Sequence, residues 1–125
     1  MTIERQHDDT EIHELVGKTC DALIAVQPAD EPSSVLMMYM RVGDRWHRFF
    51  LDAGLLIWRE GPAPDAEDDL DAEHVYSDVG ERAGAAGRVL RSIRMRENRL
   101  RIRFDDGSRI DLVEDDDTVR LKLED

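Results

Sequence analysis

The residues that could do chemistry in this chain are mostly arginines. Arg94, Arg96, Arg99, Arg101 and Arg103 occupy alternate positions of RSIRMRENRLRIRF, on either side of a break at Glu97-Asn98. A period of two puts side chains on one face of a strand. Across a hairpin, the five guanidinium groups would then share a surface. Guanidinium planes grip oxoanions two bonds at a time, so the chemistry implied is recognition of phosphate or carboxylate. Arg109, Arg120 and Lys122 would extend the patch on neighbouring strands. The plain alternative is a solvated face paired with Asp111 and Glu114, or with the acidic linker folded back on it, and such surface pairs contribute little to stability.

Other reactive side chains are scattered. His7, His13, His47 and His74 lack chelate spacing, and no HExxH or Cys/His cluster exists, so neither a metal nor a cofactor is expected. Asp52, Asp105, Asp106, Asp115, Asp116 and Asp117 fall at strand ends and turns, where aspartate serves the backbone. Cys20 is the single cysteine. It excludes an internal disulfide and reads as a small core residue. A catalytic reading would centre on Trp46, His47 and Trp58, and it needs a concave pocket with a carboxylate within reach of His47.

The elements that would position these residues are strands. Alternation and turn signals predict strands over 20–26, 35–41, 45–51 and 55–60, then over 89–96, 99–104, 108–114 and 118–124. Asp106-Gly107 and Val42-Gly43-Asp44 mark hairpins,. Residues 8–26 slide onto 78–96, and 35–60 onto 99–124 without a gap, matching Gly17 with Gly87, Leu36 with Leu100 and Gly43 with Gly107. Asp8-x-x-Glu11 and Asp78-x-x-Glu81 have capping-box spacing, which predicts a short helix at the head of each copy. Adjacent apolar pairs, Phe49-Phe50 and Leu112-Val113, predict a bulge in the third strand of each. The expected fold is mainly β (a β-rich α+β chain). It has two pseudo-repeated four-stranded antiparallel meanders, each led by a short helix, forming a small barrel or sandwich, with a single curved sheet bearing a helix on one face as the alternative. One domain spans 1–125: a first repeat at about 8–60, a linker at 61–77 and a second repeat at about 78–124.

Charge is segregated along this frame. The 125 residues carry a formal net charge of −12. Residues 1–86 hold 7 basic and 19 acidic side chains, whereas residues 87–125 hold 10 of each. The acidity peaks in the linker, at Asp65, Glu67, Asp68, Asp69, Asp71 and Glu73. That run is a solubilising loop or a recognition surface for a basic partner. The overall charge disfavours nucleic acid, and no aromatic side chain interleaves with the arginines to stack a base. The N-terminus is charged, and the apolar runs VLMMYM and GLLIW are too short to span a membrane,. A cytoplasmic protein without membrane contact is expected.

Residues 35–60 carry an apolar excess. Met37, Tyr39, Phe50, Leu56 and Trp58 fall out of phase with the expected core set of Leu36, Met38, Met40, Leu55 and Ile57. They therefore read as an outer face, covered by the chain itself or buried in a homodimer or partner interface. The stretches RLRIRFDDGSRIDLVEDDD and HRFFLDAGLLIWRE resemble those of small, acidic, β-rich bacterial domains. Some of these are immunity proteins that neutralise a toxin by binding it, so the resemblance implies an immunity-type or adaptor role and assigns no site residue. The leading expectation is a non-enzymatic interaction module that binds another protein or itself. The alternatives are a small-molecule-binding or enzymatic barrel with a pocket near Trp46, His47 and Trp58, and a phosphate- or RNA-contacting face at Arg94–Arg103.

Overall fold

A computed structural model of the chain describes residues 4–7, 10–31, 34–52, 55–61, 74–80, 87–115 and 118–124. The architecture is mainly β. Its strands are β1 (Glu4–His7), β2 (Thr10–Glu11), β3 (Thr19–Pro28), β4 (Met37–Val42), β5 (Arg45–Asp52), β6 (Leu55–Gly61), β7 (His74–Asp78), β8 (Arg88–Arg96), β9 (Arg99–Phe104), β10 (Arg109–Asp115) and β11 (Thr118–Glu124). They form one antiparallel sheet in the order β1-β6-β5-β4-β3-β8-β9-β10-β11, with β2 beside β8 and β7 beside β3. Each expected strand has its counterpart, β3 to β6 and β8 to β11. The two meanders meet where β3 pairs β8, at Thr19↔Val89 and Cys20↔Arg88.

Alternation explains the core. Leu100, Ile102 and Phe104 of β9 point inward, as do Phe49 and Leu51 of β5, and one continuous apolar cluster draws on both meanders. The sheet curls enough for Val35 N to donate to Val119 O at 2.8 Å, bringing the β11 edge against the chain that enters β4. Phe49 and Trp58 stack at 4.2 Å in the interior. Burying such rings contributes about 2–3 kcal/mol each.

Four expectations are corrected. The helix expected from Asp8-x-x-Glu11 is replaced by β2 and a turn. Ile12 N donates to Ile93 O at 3.0 Å, so β8 satisfies the backbone that a helix would have satisfied. The matching helix expected from Asp78-x-x-Glu81 falls largely on 81–86, outside the described residues; the described Val79 and Gly80 adopt helical backbone. The bulges lie not in the third strands but in β3, between Cys20 and Ala22, and in β8, between Leu90 and Ser92. They let Cys20 and Leu23, and likewise Leu90 and Ile93, face inward three positions apart,. Neither barrel nor sandwich describes the strand order, which is one open sheet.

The last correction concerns register. Val42 pairs Arg45 across a two-residue turn, whereas Phe104 N donates to Ser108 O at 3.0 Å across a three-residue one. The extra residue breaks the gap-free slide, and a one-residue slip exchanges the two faces of every strand beyond it. In the first meander β5 runs without a bulge and pairs Phe49 with Trp58 and Leu51 with Leu56, so Leu56 and Trp58 are core residues, each with 0% exposure, rather than members of an outer face. Tyr39 is buried outside the main cluster beside Tyr76, and Met37 and Phe50 are half-buried. Trp46 stands on the outer side, and His47 takes its place inside.

Candidate functional site: an arginine-lined sheet face

The hairpin of β8 and β9 turns at Glu97 and Asn98, both in left-handed backbone with φ of 53° and 63°. This two-residue turn matches the right-handed twist of its strands. It sets Arg96 opposite Arg99 and Arg94 opposite Arg101. On the next strand pair, Arg103 lies opposite Arg109 and Arg101 opposite Asp111. With Leu90, Ile93, Met95, Leu100 and Ile102 turned inward, the outer surface of the second meander is a lattice of guanidinium groups.

One carboxylate anchors this lattice. Asp111 is 3% exposed and accepts two bonds from Arg101, Nε to Oδ1 at 3.0 Å and Nη2 to Oδ2 at 3.2 Å. Arg109 Nε lies 4.0 Å from the same carboxylate. The expectation of cross-pairing with Asp111 thus holds for Arg101. Among the described residues no carboxylate forms an ion pair with Arg94, Arg96, Arg99 or Arg103. Directly opposed like charges are unfavourable in a sheet; besides Asp111, the acids closest to them are Glu11, opposite Arg94 on β2, and Glu97 in the turn, which line the same cleft.

The side chains enclose two adjoining hollows. A cleft of about 530 Å³ is lined by all five predicted arginines together with Ser92, Val113, Glu11 and Glu97. A second hollow, of about 320 Å³, is bounded by Arg91, Arg103 and Arg109 beside Phe104 and Gly107. Arg103 lines both. Sequence reasoning missed Arg91, because strict alternation places it off the Arg94–Arg96 face. The three-residue step from Leu90 to Ile93 was the available signal, since such a step demands a bulge.

The other candidate site does not form. His47 is 2% exposed, and its Nδ1 accepts a bond from Trp58 Nε1 at 3.3 Å. Burial lowers its pKa; the Glu60 charge opposes that shift, while Lys18 and Arg45 add to it. Neither hollow is lined by His47, Trp46 or Trp58. Cys20 is fully buried, and its thiol is pushed up to about 12 by burial first and the Asp21 charge second. That protonation state is unsuited to a nucleophile. Among the described residues no group of His, Cys, Asp or Glu is arranged to hold a metal ion, and no helix is long and apolar enough to cross a membrane. The acidic run Asp65, Glu67, Asp68, Asp69, Asp71 and Glu73 lies outside the described residues. The chain matches no protein-family model, no curated protein and no solved structure.

Proposed function

We propose that the protein is a non-enzymatic binding module whose contact surface is the arginine face of β8 and β9, and whose partner is an acidic protein segment. One observation carries this proposal: five arginines line a single cleft, and four of them form no ion pair with a described carboxylate. A ligand carboxylate would relieve the repulsion between opposed arginines and gain charge-assisted bonds from both. Acidic protein is favoured over nucleic acid because the larger cleft has no aromatic side chain for base stacking,. The −12 charge also opposes approach of a long polyanion,. With Leu56 and Trp58 in the core, the apolar patch is not part of the proposal.

The chain further reads as two copies of one β unit, of which the second has given its outer face to binding. Matching features support this. Gly17 and Gly87 both take positive φ, at 89° and 85°. Their amides donate reciprocally, to Leu90 O at 2.8 Å and to Cys20 O at 2.7 Å.

A short glutamate-containing peptide is a suitable probe for the binding surface. Titrated at low ionic strength, it should bind the native chain and weaken as salt is raised. Replacing Arg96, Arg99 and Arg103 together by Ala should abolish binding while leaving the buried Arg101–Asp111 pair intact. Undiminished binding by that variant would remove the arginine face from the function.

A further inference from the structure

We infer that the arginine face reads an extended acidic segment whose carboxylates fall on alternate residues; this rests on the proposal above. The geometry behind it is the placement of three directly opposed arginine pairs. Arg96 faces Arg99, Arg94 faces Arg101, and Arg103 faces Arg109. The β9 members of these pairs are 99, 101 and 103, so the pairs recur at every second residue along one strand, about 7 Å apart. An extended polypeptide presents its own alternate side chains at the same spacing. Laid along β9, such a segment brings three successive carboxylates each over two guanidinium groups.

The three subsites are unequal. At the middle one Arg101 is already committed to Asp111 and Arg94 stands opposite Glu11 of β2, so this subsite is the weakest. The end subsites carry the affinity. The one at Arg103 and Arg109 opens into the smaller hollow, where Arg91 adds a third cation. Contiguous acids on an extended segment point alternately toward and away from the face, and only part of their charge is read.

The test compares two labelled peptides of identical composition by fluorescence anisotropy at one fixed low salt concentration. One has three glutamates on alternate residues separated by serine; the other has the three glutamates contiguous. The alternating peptide should bind about tenfold more tightly, the equivalent of one additional charge-assisted contact. Arg99→Gln and Arg103→Gln should each weaken it several-fold. Arg120→Gln, which removes the same charge from β11 outside both hollows, should leave it nearly unchanged. Equal affinity for the two peptides overturns the alternation rule and leaves the acidic-segment proposal standing. Failure of both peptides to bind overturns the proposal itself. Tighter binding of an oligothymidylate of matched charge overturns both.

Discussion

His47 shows what a single misplaced face conceals. It alternates with Phe49 and Leu51, which are buried, and it is buried with them. Its neutral ring accepts the Trp58 indole N–H through Nδ1, which leaves the ring proton on Nε2. Because burial lowers its pKa in the folded state, the unfolded chain takes up the proton first. The stability this ring contributes is complete above about pH 6.5 and is lost as pH falls through that value toward the lower folded pKa. The melting temperature should therefore decline between about pH 7.5 and pH 5.5. His47→Gln should start lower and be flatter across that window; an equally steep variant would place the titration elsewhere. Glu60 and Asp106 are shifted down, chiefly by their bonds to Arg45 and Ser108, so their losses begin only below about pH 4.5 and do not overlap.

At the scale of elements, the strands were readable because burial on one face writes alternation into the sequence, as RLRIRF in β9 does directly. The helix at Asp8-x-x-Glu11 was misread because capping spacing is local, while the partner that claimed this segment, Ile93, is 81 positions away from Ile12. Register decided the rest: β5 carries no bulge, so Trp58 pairs with Phe49 and Leu56 with Leu51, and both turn into the core with their partners. Turn chemistry also leaves room for improvement. Glu97 holds φ of 53°, a region that suits asparagine better than glutamate. Glu97→Asn should raise stability by about 0.5–1 kcal/mol, seen as a higher urea midpoint at unchanged slope. A lower midpoint would show that Glu97 supports the turn through its side chain.

For the whole molecule, the net charge of −12 conceals a positive surface. Segregation of charge was legible by counting, and five of the arginines by parity. What parity could not supply was depth. Asp111 looked like one more surface acid, yet it lies beneath the arginines and holds Arg101 upright. The narrow seam between β3 and β8 has a different consequence. Cys20 sits within it, paired with Arg88, and its thiol is buried and protonated. The protein thus carries its own clock for the parting of its two halves, because an alkylating reagent can reach this sulfur only when the seam opens. If the shared core makes the halves inseparable, iodoacetamide labelling should quicken with urea as steeply as global unfolding does. A shallower dependence would reveal that the halves come apart while each is still folded.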